Sequence, residues 1–375
     1  MLNGNASKSN LKIAHIHVWD QKNKGDRAIV LAVQALLRVH FKNCRISNFP
    51  MTVLRDGCTA DIKKINKADF IIIGGGGIFY SYFLPYQVEL IQALVKPIII
   101  FGAGYIRELG APALSSEAVA SVVALAKKAE LIGVRDYNTR KFLNQNGIAY
   151  NKIKVIGDPA ALLSEKKPVS FKITKQADNW EPLKSGKNNQ KLSIQPLRIG
   201  FNLNYSGWLG FGRWRADILK AYLEVVNYFI NKYEGNDGPG VEFYYLKHHP
   251  GEDNIYPALK IDKLRVVDLK PAEQKYVYGQ LDLVIGMMLH AGVLAFGAGT
   301  PEISVAYDLR NYSFAEFIKC PELVIDLDKL KKGELLKRAR LVLIDRQKYR
   351  KIFNRQKIII KQSQENFLKK INKCL

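Results

Sequence analysis

An α/β chain with two doubly wound parallel sheets is predicted by three features of the sequence. Short, wholly apolar segments recur, and each ends in glycine or a charged pair. Residues 70–73 run into Gly74-Gly75-Gly76-Gly77, residues 97–101 into Gly102-Ala103-Gly104, and residues 131–134 into Arg135-Asp136. Stretches with apolar residues at helical spacing lie between them. A polar, lysine-rich stretch then divides the chain, and a second series of the same kind follows it. Strands that are apolar throughout, rather than alternating, are those with helices on both faces.

The first strand is expected at 11–18 (LKIAHIHV), followed by a loop with Gly25 and Asp26 and a helix over 28–40. Helices follow over 115–129 and 137–146, the latter closed by Gly147, and a strand at 154–156 leads to Gly157-Asp158-Pro159. Residues 11–163 thus form an N-terminal Rossmann-like domain. Residues 164–196, dotted with Pro, Gly and Asn, read as a linker or long excursion. A C-terminal Rossmann-like domain spans 197–328, with strands at 198–203, 241–246, 264–267, 283–285 and 302–305 and helices at 217–233, 271–279 and 290–296. Residues 329–375 read as helix, broken near Asp345. The expected architecture is two Rossmann-like domains facing across a cleft, with a basic helical C-terminal segment packing back on the N-terminal domain.

Composition narrows the function. Hydrophobic residues make up 47% of the 375, enough for two cores, and no run of about eighteen apolar residues could span a bilayer. The first ten residues are polar and lack a signal peptide's apolar stretch, so the cytosol is the expected compartment. Cys44, Cys58, Cys320 and Cys374 are scattered, which predicts free thiols and no zinc site. The 57 Lys and Arg against 34 Asp and Glu give a net charge of +23, a field that attracts anions. Residues 329–375 alone carry sixteen Lys/Arg and three acids, or +13. Leu336, Leu341, Leu343, Ile344, Ile352, Phe353, Ile358, Ile359 and Phe367 are expected to form one apolar face of that segment. Its basic face is then a solvated surface or a dock for the anionic inner face of a membrane. Nucleic acid is excluded, because aromatic residues are not interleaved with the basic ones.

Candidate site residues sit at strand ends, where sheets of this type bind ligands. The glycine run follows a strand and is expected to open a helix, so that Gly75 and Gly76, with Gly104 on the next strand, let backbone approach a ligand. It is neither a dinucleotide fingerprint nor a P-loop, since the acidic partner and the Gly-Lys-Ser/Thr ending are absent. No cofactor and no metal are expected. Arg135 can fork onto a carboxylate or phosphate, while Asp136 can cap the next helix. Asp158 either caps a helix or faces the ligand. In Lys247-His248-His249-Pro250 one histidine, with Lys247 or Asp253, is expected to face the cleft, His248 being the one assigned to the ligand. His290, at a helix start, can bind an anion or act as acid and base.

These residues together resemble the polysaccharide pyruvyl transferase family, from Gly25 to about Phe317. The matching pieces are Gly25-Asp26, FIIIGGGGIF, FGAGYI, GVRDYNTRKFL, Gly157-Asp158-Pro159, LKHHPGED and GMMLHAGVLAFGAGTPEISVAYDLRNYSF. The resemblance implies a GT-B-like, metal-independent transferase. Phosphoenolpyruvate would donate an enolpyruvyl unit that ends as a pyruvate ketal on a cell-surface saccharide or its lipid-linked precursor. Carried over, Arg135 and His290 would hold the donor's phosphate and carboxylate, with Arg310 nearby. His290 is the expected acid, and Asp26 or Asp158 the base for the acceptor hydroxyl. The family commonly has Arg where this chain has Met288, so Arg310 or Lys247 would substitute, or the donor would differ. The alternatives are a glycosyltransferase with a nucleotide-sugar donor and a glycan-binding homologue without turnover.

Overall fold

The computed structural model describes residues 10–173, 195–204, 211–234, 240–327, 330 and 333–374, with the side chains of 211–213 left aside. Most of the expected linker, 174–194, lies outside the described residues.

Two parallel six-stranded sheets carry the fold. The first contains β1 (Lys12–His17), β2 (Arg45–Pro50), β3 (Phe70–Phe79), β4 (Ile98–Tyr105), β5 (Leu131–Val134) and β6 (Ile153–Val155), in the order β2-β1-β3-β4-β5-β6. Its helices are α1 (Lys24–His40), α2 (Val53–Asp56), α3 (Thr59–Ile65), α4 (Val88–Gln92), α5 (Ser116–Lys128) and α6 (Tyr137–Gln145). The second contains β7 (Leu197–Phe201), β8 (Val241–Leu246), β9 (Arg265–Val267), β10 (Leu283–Gly286), β11 (Glu302–Ala306) and β12 (Val324–Asp326), in the order β12-β11-β10-β7-β8-β9. With it go α7 (Phe211–Tyr233), α8 (Pro271–Tyr278), α9 (Leu289–Ala298) and α10 (Leu309–Phe317). The basic segment forms α11 (Glu334–Ile344) and α12 (Arg346–Ile371).

Local chemistry explains the boundaries. The Asn23 side chain accepts from the N–H groups of Gly25 and Asp26, so α1 begins four residues before its apolar periodicity does. Asp136 caps α6 by accepting from Thr139 N–H at 2.7 Å. Asp308 caps α10, a helix too polar to show in the hydrophobic pattern. β2 is a partly exposed edge strand, and its sequence RISNFP lacks the apolar run that marked the others.

The glycine run corrects one expectation. β3 continues through it to Phe79, and no helix starts until Val88. The reason is β4. A Cβ on Gly74 would lie 2.2 Å from the carbonyl oxygen of Phe101, so the strands can only pair here without side chains. The run therefore supplies no helix N-terminus for an anion.

The C-terminal segment corrects another. Phe353, Ile360, Gln364, Phe367 and Ile371 form the buried stripe of α12, whereas Leu341, Ile344, Ile358 and Ile359 face solvent. Phe353 packs edge-on against Phe296 of α9, and Phe367 packs likewise against Phe101 of β4. Arg346 donates to Asp282 in a buried pair at 2.7 Å. Burying each such aromatic contributes about 1.5–3 kcal/mol. α12 thus clamps both halves of the molecule.

Further contacts join the halves. Lys24 Nζ donates to the carbonyl of Lys247 at 2.6 Å and pairs with Asp268 at 2.7 Å. Lys275 Nζ donates to the carbonyls of Ala161 and Leu163 at 2.8 and 2.7 Å. The 107–109 and 307–309 segments exchange backbone hydrogen bonds of 3.0 and 3.2 Å.

Candidate active site

Each sheet reverses its strand order once, between β1 and β3 and between β7 and β10. Open parallel sheets bind ligands at the carboxyl ends of the strands at such points. The carboxyl ends of β1, β3 and β10 all border one cavity of about 750 Å³. Trp19, Asp20 and Asp26 follow β1, Tyr80 and Tyr82 follow β3, and Met288, Leu289 and His290 follow β10. Tyr307 and Arg310 close the far side.

Behind His290 of the cavity wall lies a buried charged cluster. His290 Nε2 is 4.0 Å from Asp158 Oδ2, and Arg135 Nη1 is 3.8 Å from the same oxygen. Arg135 Nε donates to Asp136 at 3.2 Å. Arg135 Nη1 and Nη2, Asp158 Oδ2 and His290 Nε2 are all buried, and none has a hydrogen-bond partner among the described residues. Buried polar atoms are ordinarily satisfied. Four such atoms around one point make this the candidate site.

Two glycines make the cluster possible. A Cβ on Gly25 would lie 2.2 Å from His290 Nδ1, so the imidazole rests directly on the first turn of α1. A Cβ on Gly104 would lie 2.2 Å from Arg135 Nε. Gly104 therefore acts by giving the guanidinium room. Gly75 and Gly76 lie in the buried strand, and Gly76 backs onto Asp26, whose carboxylate a Cβ would approach to 3.3 Å.

The electrostatics are set by burial. His290 is pushed well below the usual imidazole range by desolvation, then by Arg135 and Arg310, so its resting form is neutral. Desolvation also raises Asp158, against the pull of Arg135. Asp26 is raised to about 7 by desolvation and by Asp20, with Arg310 and Arg135 opposing. Burial works against the charge of Arg310, yet Asp308 and Tyr307 hold its pKa above the ordinary value. Arg310 Nε donates to Asp308 Oδ2 at 2.6 Å, and Nη2 donates to Tyr307 at 3.1 Å.

Of the sequence-selected residues Asp26, His290 and Arg310 line the cavity, Arg135 and Asp158 lie buried behind that lining, and Lys247 and His248 point elsewhere. His248 turns inward, where Nε2 bonds Tyr278 Oη at 2.7 Å and desolvation lowers it to about 3. His249 is the histidine of that pair on the cavity wall. Alternation along an extended chain demanded that one face in and one out, and the side was chosen wrongly from sequence. Lys247 is held by Asp253 and Asp268 at 2.7 and 3.0 Å and serves the contact between the halves. Sequence reasoning also missed Trp19, Tyr80, Tyr82 and Glu108 on the first wall. Trp19-Asp20 directly follows a strand next to the order reversal, the one signal that could have found them. Asn202 was missed too. Its Oδ1 accepts from Met288 N–H at 3.2 Å and fixes the start of α9.

Among the described residues, no group of three or more His, Cys, Asp or Glu is placed to hold a metal ion, and no helix is long and apolar enough to cross a membrane.

Two parallel α/β halves bordering one wide cavity make a GT-B-like fold. The model of the family described as polysaccharide pyruvyl transferase matches residues 23–308, and the chain belongs to that family. Among solved structures it is similar to the UDP co-structure of MnaA from S. aureus (TM-score 0.55, 12% identity, 91% of this chain and 90% of that one). It is also similar to Anabaena Alr3699/HepE in complex with UDP and glucose (TM-score 0.54, 12% identity, 97% and 99%). A third is the UDP-GlcNAc 2-epimerase of Neisseria meningitidis bound to UDP-GlcNAc (TM-score 0.52, 11% identity, 94% and 99%). At these identities the likeness speaks to fold. No curated protein matches the sequence.

Proposed function

We propose that the protein transfers an enolpyruvyl unit from phosphoenolpyruvate to a saccharide, leaving a pyruvate ketal. The observation that carries this reading is the set of four unpartnered buried atoms on Arg135, Asp158 and His290, beside Arg310. A small dianionic or trianionic donor would satisfy the two guanidiniums with its phosphate and carboxylate. Arg310 and Arg135 also supply the positive charge that the absent arginine at Met288 would have brought.

The electrostatics suit the chemistry. Burial is the main cause that keeps His290 neutral. The donor's negative charges would offset the two arginines that add to it, which favours placing a proton on the imidazole when the donor is seated. That proton goes to the methylene carbon, and the carbon bearing phosphate becomes cationic. An acceptor hydroxyl adds to it and gives up its proton to Asp26. A second hydroxyl of the same sugar then displaces the phosphate, which Arg135 stabilises as it leaves. The proton of that hydroxyl passes to the now neutral His290. Asp158, 3.8 Å from Arg135 and 4.0 Å from His290, balances part of their charge. The exposed rings of Trp19 and Tyr82 at the cavity mouth offer stacking faces for the sugar.

A nucleotide-sugar glycosyltransferase is the second reading. Met288 in place of the family arginine favours it, as do the UDP-bound neighbours of similar fold. Incubation with phosphoenolpyruvate and a panel of saccharides separates the two. The proposed reaction requires saccharide-dependent phosphate release and a new ketal methyl signal by NMR. Release of UDP from a UDP-sugar, with phosphoenolpyruvate untouched, would establish the second reading instead.

A further inference from the structure

We propose that the outward face of α12 is a docking surface for an anionic lipid bilayer, independently of the reaction above. One side of this 26-residue helix is spent on the protein, through Phe353, Ile360 and Phe367. The opposite side is a separate, ordered pattern. Lys348, Lys351, Arg355, Ile358 and Lys369 follow one another on one face at intervals of three, four or a multiple of a turn, and Lys373 extends the line past the helix end. All are exposed. Ile358 and the adjoining Ile359 are 58% and 45% exposed, in the middle of the row. One carboxylate lies on it, Glu365, seven residues after Ile358 and four before Lys369, and it is 4.0 Å from Lys361, so the face remains strongly basic.

Each part of this pattern fits a bilayer. A helix of this length lies flat over about 39 Å. Lysine and arginine reach anionic headgroups, and the isoleucine pair can sink between them to the acyl boundary. Two large aliphatic side chains kept in water, ringed by cations, have no role in the fold. A second copy of the chain is a poor occupant, because two such faces would repel. Nucleic acid is a poor one as well, because the aromatic rings of α12, Tyr349, Phe353 and Phe367, are all buried inward and leave no stacking platform. The clamp described above holds the surface rigid against both halves.

Vesicle co-sedimentation of the full chain tests this, with phosphatidylglycerol-containing vesicles against pure phosphatidylcholine. Two variants are needed, Lys348→Gln/Lys351→Gln/Arg355→Gln and Ile358→Ser/Ile359→Ser. All five positions are exposed, and thermal melts should match the unchanged protein. Binding is expected to the anionic vesicles only, and to vanish at 1 M salt, where the Debye length is about 3 Å. At about fivefold per cation, the triple variant should lose roughly a hundredfold in partitioning. The double variant should lose severalfold. No binding to anionic vesicles, equal binding to neutral ones, or full retention by either variant overturns the proposal. So does concentration-dependent dimerisation by sedimentation velocity that the isoleucine changes abolish.

Discussion

The two walls of the cavity differ in kind. The loops of the first sheet bring Trp19, Tyr80 and Tyr82 with the carboxylates of Asp20, Asp26 and Glu108. The second sheet brings His249, His290, Tyr307 and Arg310, and behind His290 lie Asp158 and Arg135 of the first half, 4.0 Å from His290 and 3.8 Å from Asp158 respectively. The first wall offers ring faces and hydrogen-bond acceptors, which suits a neutral polyhydroxylated molecule. The second suits an anion. Both walls come from the same α/β plan, so the division of labour lies in the residues placed after each strand and not in the fold.

Changes on the second wall should therefore damage the donor step, and changes on the first should affect the acceptor alone. The largest effect is expected for His290→Ala. Loss of a general acid lowers turnover by about 10²–10⁴. Circular dichroism should be unchanged, and near-normal turnover would reduce His290 to a structural role. Next comes Gly25→Ala, which never touches the ligand. Its Cβ would collide with the His290 ring, and a displacement of about 1 Å can cost roughly 10²-fold in rate. A fully active Gly25→Ala protein would mean that the imidazole position is unimportant.

Met288→Arg adds a cation to the second wall. A charge-assisted hydrogen bond of about 1.5–3 kcal/mol should tighten phosphoenolpyruvate binding about tenfold or more in calorimetry. Weaker binding by the folded variant would indicate a pocket rebuilt for another donor. On the first wall, Trp19→Ala and Tyr82→Ala should raise the saccharide KM about three- to tenfold, on the scale of an aromatic contact. Their donor affinity should stay constant, and a matching change in it would erase the distinction between the walls.

The smallest effect concerns pH. Asp26 has a folded pKa of about 7 against an ordinary 3.8, so the native state holds its proton more tightly than the unfolded chain. Its contribution to stability is full below about pH 4 and is lost as pH rises through 7. Asp26→Asn should therefore lose less Tm between pH 5 and pH 8 than the unchanged protein. An identical or steeper loss would place Asp26 in a solvated setting.

The sequence made much of this legible, for reasons that differ by element. β5 could be placed to the residue because buried parallel strands are continuous apolar runs, and β8 likewise from its FYYL core despite Glu242. β2 could not, since an edge strand needs no such run. Arg135, Asp158 and His290 were chosen separately for their strand-end positions, and the fold brings all three to one point. Lys247 and His248 shared that kind of position, but burial and pairing with Asp253, Asp268 and Tyr278 decided their orientation. The exposed Ile358 and Ile359 were hidden for a related reason. Hydrophobicity alone put them on the packed face, whereas the helical phase set by Phe353, Ile360 and Phe367 turned them out.

The central claim is that the floor of the cavity is a site for a small, carboxylated phosphate ester. Calorimetric titration of the purified protein with phosphoenolpyruvate, and separately with UDP-glucose, tests it most directly. Saturable binding of phosphoenolpyruvate, with a raised Tm and no comparable response to UDP-glucose, is the predicted result. Saturable binding of UDP-glucose with none of phosphoenolpyruvate would contradict it.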